Sequence, residues 1–377
     1  MRKCLAQRLI LSLVLLGAQQ SAAFVSQRPI ARVPGVPGIL EVQRKPIDHG
    51  LPKSTSLQRS AQDSSTTTRM QALPASLCAL PLSQKIFLSC FLPTCLGFWK
   101  SEYGVSYAYG MATALTSFLI YKALMVGQSS SWAIWQAGAL MFYGVRLSIF
   151  LLYRQLCTQR LKDMVERIED KAKARGGRLQ RAPFVLSCAG LYFGLCAPLL
   201  ISSRVASSQI PAWTVKVLKG LVASTWGGFI FAALGDFNKS FVKAIKGEDH
   251  LVTGGIYSLC RHPNYSGEFV SWTSNGLIAI VAAIASKGAG IPTPQLVGYL
   301  AASVVGALGL DFVVLGATKG LEKRQKEVYG ESADYQTWIE STWAGFELPT
   351  AAEEVVDPHV KPEIKMEQTE EDTGSGI

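Results

Sequence analysis

Apolar residues in this chain gather in long uninterrupted blocks instead of alternating or recurring as one helical stripe. Six of them, 105–127, 132–153, 183–202, 211–235, 266–286 and 295–316, reach the roughly 20 residues a helix needs to cross the hydrocarbon. A seventh, 77–98, is interrupted by Lys85 and Pro93. The pattern predicts an all-α polytopic membrane bundle of six to seven transmembrane helices, built as one membrane-embedded domain over 77–350. No repeat, heptad run or Gly-Ser linker divides that stretch.

The connections between blocks alternate in character. Three long ones (154–182, 236–265 and 317 onward) alternate with three short ones (128–131, 203–210 and 287–294). The long set carries nine, four and four Lys/Arg, counting Lys319 to Lys326 for the last, whereas the short set carries Arg204 and Lys287. Adding Lys216 and Lys219, which can snorkel from a helix start, still leaves 17 against 4. Basic residues stay on one side of a membrane, so all three long connections are expected to face the same compartment.

The ends of the chain read differently. Arg2, Lys3 and Arg8 precede the apolar run Leu9 to Leu16, and Ser21-Ala22-Ala23 closes it, the pattern of a secretory signal peptide over 1–23. Residues 24–76 hold seven Lys/Arg, three Asp/Glu and eleven Ser/Thr without apolar periodicity, a transit-like disordered leader. With Phe24 just after Ala23, the two parts resemble presequences sent to plastids through the secretory pathway. The alternative is an endoplasmic reticulum or other secretory-pathway membrane protein with a disordered luminal leader. The stretch 351–377 carries two basic and eight acidic residues and reads as a solvated acidic tail.

Composition narrows the chemistry. The 377 residues carry a net charge of +10, which could point to nucleic acid. The charge sits in the leader and in loops between apolar blocks, not on an amphipathic reading helix, so no nucleic acid partner is expected. Eight cysteines form no CxxC pair, and Cys78, Cys90, Cys95, Cys188 and Cys196 lie inside apolar runs as small filler. The four histidines stand apart from one another, so no metal site is expected. Nucleotide loops of the GxGxxG and GxxxxGK[ST] types and a GxSxG elbow are missing from the sequence.

The densest polar stretch at a membrane boundary runs from Gly254 to Glu268 and passes straight into an apolar helix. Pro263 biases His262 away from helical geometry and suits a helix start. Arg261 and His262 should therefore lie on a bend, with Asn264, Tyr265 and Glu268 in the first turns of the next helix. Asn264, Glu268 and Trp272 recur every four residues and share one stripe. A carboxylate entering a span needs a partner or a wet cavity, and a helix N-terminus beside Arg and His is a natural anion site. The plainer reading is a capped helix start with a snorkelling Arg.

Asp236, Lys239 and Lys243 show one face if the preceding helix continues. Glu322, Arg324, Tyr329, Tyr335 and Trp338 follow the last block on the same side. Cations flanking a cleft suit a cofactor with several phosphates, although anionic headgroups also explain basic residues beside a bilayer. Arg146 and Asp311 stand out as ions inside blocks, either functional or paired with each other.

These residues carry a resemblance. Gly254-Gly255-Ile256-Tyr257, then Arg261-His262-Pro263-Asn264-Tyr265-x-Gly267-Glu268, then Leu321-Glu322-Lys323-Arg324 and Asp334-Tyr335 before Leu348-Pro349, resemble the C-terminal domain of steroid 5-alpha-reductase-like membrane proteins. Sterol reductases carry a similar RHPNY string. The resemblance, over about 146–349, implies a reductase using NADPH on a lipid substrate, unsaturated or keto. Asp236, Lys243, Arg261, His262, Asn264, Tyr265, Trp272, Glu322 and Arg324 would hold the cofactor, with Glu268 orienting that shell and Tyr265 or Tyr335 as proton donor. His250-Leu251-Val252-Thr253-x-Gly255-x-Tyr257 and RHPxYxG also resemble isoprenylcysteine carboxyl methyltransferases, which implies S-adenosylmethionine instead. A non-enzymatic membrane protein on the same scaffold is the third expectation.

Overall fold

The computed structural model describes residues 80–126, 130–288 and 290–346. The signal, leader and acidic-tail segments read from the sequence lie outside the described residues. Among the described residues the chain is helical, and its only β pairing is an isolated bridge between Cys260 and Trp343. In chain order the helices are α1 (Leu82–Thr94), α2 (Leu96–Trp99), α3 (Ser106–Val126), α4 (Ser131–Cys157), α5 (Gln159–Ala174), α6 (Ala182–Cys196), α7 (Pro198–Ser202), α8 (Ala212–Lys246), α9 (Pro263–Ala285), α10 (Thr293–Tyr329) and α11 (Ala333–Ser341). Short 3-10 turns occupy Ser101–Gly104, Arg178–Arg181, Ser207–Gln209 and Gly255–Ser258.

The fold is an all-α membrane bundle. Five of the six apolar blocks form helices long and apolar enough to cross a membrane. The sixth, 105–127, forms α3, an apolar helix of 21 residues that carries Lys122 as its one charged residue. The interrupted 77–98 block breaks at Cys95 into α1 and α2, just after Pro93. Ser131 to Cys157 and the two longest helices, α8 and α10, run well past the blocks that predicted them. Asp236, Lys239, Lys243 and Glu322 are therefore helical.

Without a hydrophobic drive between helices in lipid, close packing decides association, and small residues supply it. The most extensive contact is α8 against α9. A Cβ on Gly228 or Gly267 would collide with the backbone of the other helix, so both positions require glycine. Gly194 of α6 and Gly306 of α10 meet in the same way.

The three long connections converge at one end of the bundle, as their charge predicted. Arg160, in the first turn of α5, pairs with Asp249 (3.2 Å), and Tyr329 Oη at the end of α10 donates to Asp249 O (2.6 Å). Within the connection 154–182, α5 is a surface helix that buries Leu161, Val165 and Glu169 and turns most of its charges outward. Glu169 is paired with Arg181 through two hydrogen bonds of 2.9 and 3.0 Å. Six described cysteines are free thiols, four of them buried, in keeping with a filler role.

Candidate functional site

Two neighbouring clusters form at the mouth where the long connections meet. The deeper one is built on α3, α4, α8 and α9. Pro263 starts α9 at its first position and leaves His262 outside the helix at φ −131°, ψ 62°. Glu268 and Trp272 then point into the bundle. Trp272 is fully buried, edge-on to Tyr143 (5.4 Å between ring centres) and to Phe229 (5.2 Å). Tyr143 stacks on Phe229 at 4.3 Å, and Tyr109 lies 5.4 Å from Tyr143.

One turn toward the mouth on α4, Arg146 covers the Tyr143 ring at 5.3 Å and donates from Nη1 to Asp236 Oδ2 at 2.6 Å. Arg146 thus pairs with Asp236, not with Asp311, which corrects the alternative of mutual pairing. Asp311 instead accepts a hydrogen bond from Thr273 Oγ1 (2.8 Å). The difference follows from helix neighbours: α8 packs beside α4, whereas α10 reaches α9 and α6.

This cluster contains unanswered polar atoms. Arg146 Nε and Nη2 and Trp272 Nε1 are shielded from solvent and have no hydrogen-bond partner among the described residues. Glu268 lies within electrostatic reach of Arg146 and Asp236, and the Tyr143 and Tyr109 phenols are its hydrogen-bonding neighbours. Leaving a buried polar group unpaired costs about 1–3 kcal/mol, so the two guanidinium nitrogens that Arg146 keeps free beside Glu268 call for a polar partner. Toward the solvent side, Lys239, Lys243, Arg154 and Arg160 crowd one another around Asp236. Lys243 Nζ also donates to Glu248 O.

The outer cluster ties α9 to the chain's last helices. His262 Nε2 donates to Glu322 Oε1 (2.5 Å), and Arg261 Nε lies 3.0 Å from the same oxygen. Arg261 also donates from Nη1 to Ile339 O (3.1 Å) and from its backbone N–H to Trp343 O (2.8 Å). Trp338 Nε1 donates to Tyr257 O (2.7 Å), and Tyr335 packs beside Trp338. Burial raises the phenols of Tyr257 and Tyr335 above their ordinary value of 10, so both stay protonated.

A family model described as a protein of unknown function, DUF1295, matches residues 99–342. The chain belongs to that family. The DUF1295 match takes in both clusters and begins after α1 and most of α2. No curated relative and no solved structure matches the chain.

Within this DUF1295 bundle the predicted residues separate into two groups. Asp236, Lys243, Asn264, Tyr265, Glu268 and Trp272 lie along the α8 and α9 interface toward the deep cluster. Tyr265 faces Glu268, Asp236 and Arg154, and its ring is 6.3 Å from that of His262. Arg261, His262, Glu322 and Tyr335 belong to the outer clamp, and Arg324 is exposed on the outer face of α10. Of the three expected catalytic residues, Tyr265 and Glu268 are thereby brought together, and Tyr335 packs with the outer clamp.

Sequence reasoning missed Tyr109 and Tyr143. Both sit in apolar helices where a tyrosine reads as packing. The one signal available was the spacing of Tyr143 to Arg146, which places a phenol and a guanidinium on one helix face.

Proposed function

We propose that the chain is a membrane-embedded reductase that uses NADPH to reduce an unsaturated or keto lipid. The observation that carries this reading is the buried cluster of Glu268, Tyr143, Tyr109 and Arg146, with two guanidinium nitrogens of Arg146 unanswered, set beside the basic residues Arg154, Lys239 and Lys243. A dinucleotide needs cations for its phosphates and polar partners for its buried end, and the residues present fit both needs. Arg154, Lys239 and Lys243 would hold the phosphates, and Asn264, Tyr265, Asp236, Glu268 and Trp272 would line the deeper part. The likeness of the RHPNYxGE string to steroid 5-alpha-reductase-like proteins supports the same assignment.

When bound, a reduced nicotinamide supplies hydride. The chain's own residues do the rest. The Tyr143 phenol, buried beside Glu268 and Arg146, is placed to give its proton to the oxygen or carbon on which charge develops. Arg146 lies over the Tyr143 ring and stabilises the phenolate left behind, and its pairing with Asp236 orients it. Glu268 orients the donors around it. Tyr109, Phe229 and Trp272 exclude water, which strengthens every charge interaction inside. His262 and Arg261 position the start of α9 through Glu322.

A second reading keeps one observation in its favour: a carboxylate among aromatic faces also suits the sulfonium of S-adenosylmethionine. Equilibrium binding of NADPH and of S-adenosylmethionine to the purified full chain separates the two. NADPH binding without S-adenosylmethionine binding is expected, and the reverse would overturn the reductase reading. Binding of neither would favour a non-enzymatic membrane protein. The two-part leader read over 1–76 supports a plastid membrane as the address, with the endoplasmic reticulum as the alternative, and imaging of a carboxy-terminal fluorescent fusion tests it.

A further inference from the structure

Two turns below the Tyr143 and Glu268 level lies a second polar site that the reaction scheme leaves unused. Gln136 on α4 is seven residues before Tyr143, and Asn275 on α9 is seven residues after Glu268. The two helices run in opposite directions, so both steps lead about 10 Å deeper into the bundle. There Gln136 Nε2 donates to Asn275 Oδ1 (2.9 Å) and Asn275 Nδ2 donates to Leu195 O (2.9 Å). Gln136 is 0% exposed and Asn275 1%.

This chain of bonds is anchored on a backbone carbonyl, which can only accept. Asn275 must therefore turn its NH2 to Leu195, its oxygen must face Gln136, and Gln136 must offer its own NH2 in return. The amide orientations are thus dictated, and Gln136 Oε1 is left as a buried acceptor with no donor. In the middle of a membrane bundle such an atom selects for a group that donates a hydrogen bond. An ether or a hydrocarbon cannot satisfy it.

We propose that Gln136 Oε1 reads a hydroxyl at the far end of the lipid, so that the substrate class is a lipid alcohol whose O–H lies about 10 Å from the reacting double bond or carbonyl. The inference rests on the reductase reading for the position of the reacting end. The other source of an O–H at this atom is an ordered water, which the test separates.

The probes are three matched linear α,β-unsaturated ketones in nanodiscs of neutral phospholipid. One carries a hydroxyl about 10 Å from the alkene, one a methoxy group there and one only hydrogen. The wild-type chain should bind the hydroxylated ketone about tenfold more tightly than either analogue. Gln136→Met should remove that preference while NADPH affinity, measured separately, is retained. Equal binding of the three ketones to the wild-type chain, the result an ordered water produces, overturns the proposal whether or not the variant folds. So does a preference that survives Gln136→Met. Hydroxyl preference in a chain that binds no NADPH would leave the Gln136 site standing and remove the reductase reading. NADPH binding with no hydroxyl preference would do the opposite.

Discussion

Glu169→Gln offers the most direct test of how the outer face of the bundle is held. Glu169 Oε2 accepts from Arg181 Nη1 (3.0 Å) and from the Ser101 N–H (3.0 Å), and its Oε1 accepts from Arg181 Nη2 (2.9 Å). The two side chains are 10% and 7% exposed. One ion pair therefore joins α5, the turn before α3 and the turn before α6. The substitution keeps one acceptor oxygen but sets an NH2 against a guanidinium that has lost its counter-charge. Removing one partner of a deeply buried pair costs about 3–5 kcal/mol. Short segments at the edge of the bundle shield this pair, so about 2–3 kcal/mol is expected.

The sign of the pH dependence follows from the same geometry. Burial works to raise the Glu169 carboxyl, and the hydrogen bonds from Arg181 and Ser101, with the charges of Arg181 and Lys173, outweigh it and hold it below the ordinary 4.5. Its contribution is therefore complete above pH 4.5 and is lost as pH falls through the lower folded value. The assay is thermal unfolding of the detergent-solubilised chain at pH 7 and across the acid range. Glu169→Gln should lower the midpoint at pH 7 and flatten the acid limb, and adding Arg181→Met should recover much of the loss by removing the stranded charge. A single variant within about 0.5 kcal/mol of wild type would refute the reasoning, since the pair would then behave as an exposed one.

Three further outcomes are expected. Tyr143→Phe should lower reductase activity by about 10²–10⁴-fold with little change in NADPH affinity, read by single-turnover kinetics and equilibrium binding. Lys239→Gln with Lys243→Gln should weaken NADPH binding and reduce its dependence on ionic strength, measured by titration at two salt concentrations. His262→Ala should strand Glu322 beside Arg261 and loosen the last helices, seen as faster proteolysis after residue 330; unchanged cleavage would mean that the outer clamp does not depend on His262.

The Gly254 to Glu268 stretch shows how much of the site was legible. Pro263 dictated the helix start locally, because a residue before proline is driven out of helical geometry, and the four-residue spacing of Asn264, Glu268 and Trp272 followed from helix pitch alone. What the string could not show was that His262 and Arg261 would close on Glu322, 60 residues away, instead of standing open toward a ligand. Nor could apolar blocks reveal which tyrosines only pack and which face Glu268, since both kinds sit in equally apolar surroundings.

The sequence by itself determined the class of fold, the gathering of the charged connections at one end of the bundle, and the start of α9. Each of these depends on a property that acts within one segment: apolar length, charge count or backbone restriction. Only the tertiary structure decided that Arg146 meets Asp236, that Tyr143 and Tyr109 face Glu268, and that Gln136 keeps an acceptor free. These depend on which helix faces lie against each other, and in lipid that is settled by close contact of small residues such as Gly228 and Gly267, which leave no periodic signal in one chain.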